Sequence, residues 1–268
     1  MNMNINKKIL LKEKHNNGIL RLVLNDPKRK NALSEDMILS LNSHISASSV
    51  DKSVKVIIIS SNSNVFSSGH NLKEISTARE KKDSGSSYFM ELFDSCSSLM
   101  QLIVNCPKPV IAEVNGVATA AGCQLVASCD LAIASSNSKF ATPGVDIGLF
   151  CSTPMVALSR SVSSKDAMKM LLTAEMIDAS EAKRISLINE YVEENELKQY
   201  VLSLADKISK KSANVVQLGK KAFYKQLNMN LSDAYKYTSK IMADNVLKED
   251  AIEGINAFIE KRKPNWKE

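Results

Sequence analysis

Residues 18–25, GILRLVLN, alternate apolar and polar side chains, the period of a strand with one covered face. Asp26-Pro27 breaks that period. Ser34 then stands where it can cap a helix whose first turn carries Glu35 and Asp36, with Met37, Ile38, Leu41 and Ile45 as its apolar stripe. Residues 55–60, KVIIIS, are a short unbroken apolar run, as expected of a strand covered on both faces. A small-residue loop, FSSGH at 66–70, follows it. The charged, serine-rich stretch 73–87 predicts a mobile surface segment, and a helix is expected over about 88–104. Pro107 and Pro109 frame a strand at 110–114, behind which lies a second small-residue turn, from Asn115-Gly116 through Ala120-Ala121-Gly122. A helix to about Ser128, a strand at 131–134 and further strand–helix punctuation carry the pattern to about residue 155.

Beyond that point the periodicity is helical: 167–172, 180–185, 196–208, 213–226, 231–247 and 251–259 all read as amphipathic helices. The first two thirds therefore predict an α/β unit and the last third a helical annex. A length of 268 residues suits one large domain, or one domain with a small appendage.

Composition narrows the class. A hydrophobic fraction of 44% and a charged fraction of 24% exclude a disordered chain. Five cysteines (Cys96, Cys106, Cys123, Cys129, Cys151) form no CxxC pair, and their odd number suits a reduced compartment. Three histidines, none with a partner at ligand spacing, argue against any metal site. The opening residues contain only a three-residue apolar run, Ile9 to Leu11, with Glu13 and no Arg. On those grounds the expectation is a soluble cytoplasmic protein, the mitochondrial matrix being the alternative without a clear transit peptide. No stretch has the length of a membrane span. The net charge of +6 comes from scattered bases and few aromatics, which speaks against nucleic acid. The compact cluster Lys28-Arg29-Lys30 instead suits a phosphorylated small molecule, or simply a solvated surface.

Two segments share one design, an apolar strand followed by a tight Ser/Ala/Gly turn into a helix: VIIIS…FSSGHNL and VIAEVNG…AAGCQL. Close packing alone explains such small residues. Packing is the favoured reading on pattern alone; the other is that two turns of this kind facing each other would offer a pair of N–H donors to an oxyanion.

Several ordered motifs run through DPKRKNAL at 26–33, FSSGHNLK at 66–73, VNG at 114–116, AAGCQL at 120–125, Cys129-Asp130, residues 140–143 and the stretch from Glu253-Gly254 to Lys263. Together they resemble the crotonase (enoyl-CoA hydratase/isomerase) superfamily over nearly the whole chain, and ATPGVDIGLFCSTP marks one branch within it. The resemblance implies a superhelix of ββα turns, residues 1–200, with a C-terminal helical trimerisation region, residues 201–268, and a homotrimer or dimer of trimers. It implies an acyl-CoA thioester as ligand, with coenzyme A as part of the substrate and no separate cofactor. Carried over by motif position, the oxyanion donors are the amides of His70 and Ala121. The substrate-binding residues are Lys28, Arg29, Ala32, Ser68, Gly69, His70, Asn71, Leu72, Lys73, Ala120, Gly122 and Pro143. Met242 and Lys261 fall where a neighbouring subunit touches the CoA.

The chain departs from the hydratase pattern at one place. Family hydratases set two glutamates around one water, and the matching positions here are Gln124 and Gly144. A carboxamide holds a water but does not take its proton near neutral pH, and glycine offers nothing. Each positioned acid or base is typically worth about 10² to 10⁴ in rate, so hydration of 2-enoyl-CoA is expected to be weak. Returning glutamates to 124 and 144 is expected to raise it, only in part where glutamate strains a backbone shape that Gly144 allows. Asp146, two residues on, would share a side with Gly144 in an extended segment, displaced by about 6–7 Å; a solvent-facing Asp is the alternative. Cys151 and Ser152 are read as polar wall, since no base stands near, and Glu113 and Asp130 as structural anchors. The leading function is an enzyme of enoyl-CoA hydratase/isomerase type, a lyase or isomerase of fatty acid metabolism, that stabilises a thioester enolate. The alternative is a non-catalytic acyl-CoA binder or an assembly protein on the same fold. A nicotinamide oxidoreductase is disfavoured by the lack of G-x-G-x-x-G after the first strand.

Overall fold

The computed structural model describes residues 8–267, so part of the opening segment read for targeting signals lies outside it. Its strands are β1 (Leu10–His15), β2 (Ile19–Leu24), β3 (Val56–Ser61), β4 (Val65–Ser67), β5 (Val110–Val114), β6 (Val117–Thr119), β7 (Leu131–Ser135), β8 (Lys139–Ala141), β9 (Ile177–Asp178) and β10 (Glu190–Val192). Its helices are α1 (Glu35–Val50), α2 (Leu72–Ala78), α3 (Ser86–Asn105), α4 (Ala121–Ser128), α5 (Ser152–Ser161), α6 (Ser164–Thr173), α7 (Ala179–Arg184), α8 (Glu194–Ser209), α9 (Ala213–Gln226), α10 (Leu231–Val246) and α11 (Glu249–Ile259).

The strands sort into a six-stranded sheet, β1-β2-β3-β5-β7-β10, and a four-stranded sheet, β4-β6-β8-β9. Only the β1–β2 and β8–β9 pairings are antiparallel. The chain visits the sheets alternately. β3 lies in the large one and β4 in the small one, and β5/β6 and β7/β8 repeat that step, each pair followed by helix. This is the repeating ββα unit that the sequence leads one to expect.

Both faces of the large sheet are covered. Ile57 and Ile59 of β3 pack into the main core with the α1 stripe of Met37, Ile38, Leu41 and Ile45. Val56 and Ile58 face the other way and meet Leu197, Val201 and Ala205 of α8. The two-sided reading of β3 therefore holds, while β2 differs from its alternating pattern because every residue of it is buried. Its polar position, Arg21, is satisfied inside: Nη2 and Nε donate to the two carboxylate oxygens of buried Glu113 at 2.6 and 3.0 Å, and Nη1 donates to Glu13 at 2.9 Å. A buried charge needs such pairing. Glu113 is thus a structural anchor.

Asp130 is another. It accepts from the Val110 amide (2.7 Å), the Tyr224 hydroxyl (2.9 Å) and Lys220 Nζ (2.6 Å), and Lys220 also donates to the carbonyls of Ile103 and Lys108. This cluster ties α9 to the end of the α/β unit. Helix α8 runs continuously through residue 200, with Val201 and Ala205 fully buried on the sheet, and the helices that leave the core follow Ser209. Those helices are thinly packed: α10 buries no residue, and α9 buries only Ala222.

Ser34 caps α1 by accepting from the Met37 amide, as expected. Residues 73–87 differ from expectation, since most of them are ordered into α2 and the start of α3. The Asn71 side chain accepts from the Lys73 amide and starts α2, a local cap that outweighs the polar composition.

Candidate acyl-thioester site

The site is built where the small sheet meets the start of α4. β4 and β6 pair in parallel, so the turns leaving them, Ser68–His70 and Ala120–Gly122, emerge side by side. Their approach is limited by glycines. A Cβ at Gly69, whose φ is +85°, would lie 2.8 Å from Ala120 Cβ and 3.1 Å from the Ala121 nitrogen. At Gly122 a Cβ would lie 2.2 Å from the Ser67 carbonyl oxygen. Only bare backbone fits at these two points.

The donors follow from this packing. Ala121 is the first residue of α4, so its amide has no acceptor within the helix. The turn that presents it is strained, because Ala120 is held at φ 49°, ψ −121°, outside the regions an alanine prefers. On the other segment, the bridge between Leu33 and His70 is made by the Leu33 N–H on the Gly69 carbonyl at 2.8 Å, which does not use the His70 N–H. The two amides assigned by motif position thus sit on turns in van der Waals contact.

The His70 imidazole packs edge-on against Phe93, centroids 5.4 Å apart, and its Nδ1 lies 3.3 Å from the Leu33 carbonyl. Burial pushes its pKa below the ordinary histidine value, and the Leu33 hydrogen bond only partly opposes this. The ring is a neutral wall.

The basic loop adjoins the same segment. Ser68 N–H donates to the Lys30 carbonyl at 3.2 Å, and buried Asn31 pins the loop by accepting from the Asp26 amide and donating to the Val65 carbonyl. Ala32 is buried beneath it, while Lys28, Lys30 and Lys73 are exposed and take part in no ion pair among the described residues. Arg29 is different: its Nε pairs with Asp26 at 2.6 Å, and Glu74 stands 3.9 Å away. Its guanidinium is therefore already engaged by a carboxylate. Asn71 caps α2 as described, and Leu72 is 55% exposed at the head of that helix.

Gln124 lies in the first turn of α4, 3% exposed, with its Oε1 unpartnered. Gly144 is buried within a 3-10 turn, Pro143–Ile147, so the extended geometry that would place Asp146 beside it does not form. At three residues per turn, positions i and i+2 diverge. Asp146 is exposed to solvent, the alternative reading of that residue. The space beside Gly144 is filled: an added Cβ would stand 2.9 Å from Cys151 Sγ and 2.9 Å from the Leu149 carbonyl oxygen. Burial raises the Cys151 pKa, the Gly144 amide partly offsetting it, so the thiol is protonated at neutral pH. Sequence reasoning missed this contact, because six residues of turn separate the partners. Met242 and Lys261 are exposed, on α10 and just past α11. No group of three or more His, Cys, Asp or Glu able to hold a metal ion occurs among the described residues.

The whole arrangement, from residue 14 to 268, matches the enoyl-CoA hydratase/isomerase family, and the chain belongs to it. Among individual proteins it is similar to the Xenopus laevis enoyl-CoA hydratase domain-containing protein 3, mitochondrial, at 52% identity over 96% of this chain and 85% of that protein. The human protein of that description has a crystal structure 49% identical to this chain, with a TM-score of 0.91 over 97% of this chain and 100% of that one. An enoyl-CoA hydratase structure from Mycobacterium smegmatis superposes with a TM-score of 0.92 at 40% identity, over 97% of this chain and 99% of that one. The branch marked by ATPGVDIGLFCSTP is therefore the one expected. The cytoplasmic expectation is corrected: the Xenopus laevis, Mus musculus and Homo sapiens relatives are all named mitochondrial. Glu13, counted against a transit peptide, belongs to folded strand β1 and bonds Arg21, so it carried no information about a leader.

Proposed function

We propose that this protein binds acyl-CoA thioesters, with the thioester oxygen held by the amides of His70 and Ala121. The contact of Gly69 with Ala120 and Ala121 is the observation that supports this most directly. Loss of a proton from the α-carbon, or addition at the β-carbon, turns the carbonyl into an enolate. Fixed amides aimed at that oxygen stabilise the developing charge by roughly 10²- to 10³-fold each. Coenzyme A enters as part of the substrate and no further cofactor is required. Hydration of 2-enoyl-CoA is weak in this proposal, because Gln124 and Gly144 supply no carboxylate. The same substitution favours a second reading, a non-catalytic acyl-CoA binder, and turnover of crotonyl-CoA separates the two.

The phosphates of the CoA lie against Lys28 and Lys73, with a smaller share for Arg29, whose guanidinium is engaged by Asp26. Calorimetry with butyryl-CoA should show Lys28→Ala and Lys73→Ala binding more weakly and with less salt dependence than the parent, and Arg29→Ala changing less. Unchanged affinity in the two lysine variants would remove the basic loop from the site.

The protein assembles as a trimer or a dimer of trimers. Leu231, Tyr235, Leu247, Phe258 and Ile259 are each at least 68% exposed on the C-terminal helices, and apolar surface of that extent finds a partner. Met242 and Lys261 approach the CoA of a neighbouring copy in such an assembly. Sedimentation velocity at micromolar concentration should give three or six times the mass of one chain; a monomer would overturn it.

A further inference from the structure

Past the end of α11, Lys261 stands at φ 54°, in the left-handed region where a helix usually carries glycine. A side chain there costs stability, because its Cβ crowds the following carbonyl oxygen. The Lys261 N–H donates to the Phe258 carbonyl at 3.2 Å and the Arg262 N–H to the Ala257 carbonyl at 2.9 Å, the bond pair that ends a helix on a left-handed residue. Residues 262–267 then fold back and are tied down. Arg262 Nη1 and Nη2 donate to the two carboxylate oxygens of Glu253 at 2.6 and 2.9 Å, and the Asn265 N–H donates to the first of these at 2.7 Å. These hydrogen bonds, those of Arg262 foremost, lower the Glu253 pKa to about 2, so the pair stays charged at neutral pH. The Trp266 indole N–H donates to the Lys210 carbonyl at 2.8 Å. Its ring occupies the space left by Gly254, where a Cβ would stand 3.2 Å away. The Lys267 N–H donates to Asp250 at 2.9 Å.

We propose that residues 262–267 form a strap that fixes Lys261 for contact with the phosphates of the CoA held by a neighbouring copy, which makes Glu253, Arg262 and Trp266 positioning residues. This rests on the acyl-CoA and assembly readings above. The charges around the turn are sorted accordingly. Arg262 is paired with Glu253 and Glu260, and Lys267 with Glu249, while the Lys261 ammonium takes part in no ion pair among the described residues. Phe258 and Ile259, 85% and 71% exposed, lie just before Lys261, so the apolar surface assigned to a second copy runs up to this lysine. A lysine stem is flexible, and a phosphate contact must order it. Anchoring the backbone on both sides of Lys261 removes part of that cost in advance. Glycine at 261 would relieve the strain but carry no charge. Lysine there lowers stability and supplies an ammonium in a fixed place, the pattern of strain held at a functional position.

Calorimetry with butyryl-CoA and with butyryl-pantetheine, the same thioester without phosphates or adenosine, tests this alongside thermal melts. Lys261→Gly should melt about 2–4 °C above the parent, because the left-handed strain is gone. It should nevertheless bind butyryl-CoA about two- to fivefold more weakly, the worth of one partly exposed ion pair. Glu253→Ala and Trp266→Ala should lose a similar factor while keeping the parent's mass in sedimentation velocity. None of the three should change the affinity for butyryl-pantetheine. Lys263→Ala, which removes an exposed charge two residues on, should match the parent with both ligands. Unchanged butyryl-CoA affinity in Lys261→Gly or in both strap variants overturns the proposal. A loss shared by both thioesters makes the strap structural, and an equal loss in Lys263→Ala makes the effect one of net charge; either overturns it. Lys261→Gly melting below the parent overturns it too, since the lysine would then serve the fold. A parent that binds neither thioester fails the acyl-CoA reading, and a monomeric parent fails the assembly reading. Each of those also overturns the strap, and each is told apart from a failure of the strap alone.

Discussion

Gly122→Ala is expected to abolish acetoacetyl-CoA binding while Gly219→Ala leaves it intact. The methyl at 122 would sit 2.2 Å from the Ser67 carbonyl oxygen and 2.8 Å from Ser67 Cβ, and both neighbours belong to a strand that cannot give way like a flexible side chain. The start of α4 must then move off β4, carrying the Ala121 amide out of line with that of His70. Overpacking of this kind costs typically about 1–3 kcal/mol. The loss of one aligned donor costs roughly 10²- to 10³-fold in stabilising an enolate. Gly69→Ala should act in the same direction, since it combines a φ of +85° with a contact of 2.8 Å to Ala120 Cβ. Gly219 meets nothing within 4 Å and lies inside α9, so alanine there should raise stability by about 0.5–1 kcal/mol. Calorimetric binding and thermal melts on the same samples separate a displaced donor from a lost fold. Tight binding by a folded Gly122→Ala protein would disprove the two-amide site.

Crotonyl-CoA hydration by the parent should be at least about 10²- to 10⁴-fold slower than by a two-carboxylate hydratase, the usual worth of one positioned acid or base. The obvious repair is blocked at one position. Gln124→Glu changes a side chain already present and should yield a pH profile with a carboxylate ionisation. Gly144→Glu has no room, because its Cβ would press on Cys151 Sγ and on the Leu149 carbonyl oxygen, each at 2.9 Å. The Gln124→Glu, Gly144→Glu double variant should therefore melt well below the Gln124→Glu single variant and gain little beyond it. The sequence reading allows for a gain limited by strain at Gly144, and these two contacts are the physical source of that strain. Adding Cys151→Ala relieves the sulfur contact and leaves the backbone one, so recovery stays partial. Spectrophotometric loss of the enoyl absorbance measures all four proteins. Fast turnover by the parent would mean that another group supplies the acid and base.

Much of the architecture is local and was readable from the chain. The apolar run of β3, the cap at Ser34, the strand at 110–114 and helix α9 depend on side chains a few positions apart, so pattern and propensity suffice. The short strands β4, β6, β8 and β9 carry no such signal. At two or three residues each, they exist because a neighbouring strand supplies the ladder. Helix α2 escaped a reading based on composition, because one Asn71 cap outweighed a run of charges.

The site divides in the same way. The sequence by itself determined which residues could serve it: the glycines and alanines of the two turns, the basic loop, and the missing carboxylates at 124 and 144. Residue identity decides whether a proton can be taken, and no fold alters that for glutamine or glycine. Only the tertiary structure decided the rest. It brought Gly69 against Ala121, paired Arg29 with Asp26, buried Arg21 on Glu113, turned Asp146 to solvent and set Cys151 into the space beside Gly144. The contacts of Gly69 with Ala121 and of Arg21 with Glu113 are set by packing between distant segments, and those at Asp26, Asp146 and Gly144 by the exact shape of a turn, neither of which the spacing of residues along a chain specifies.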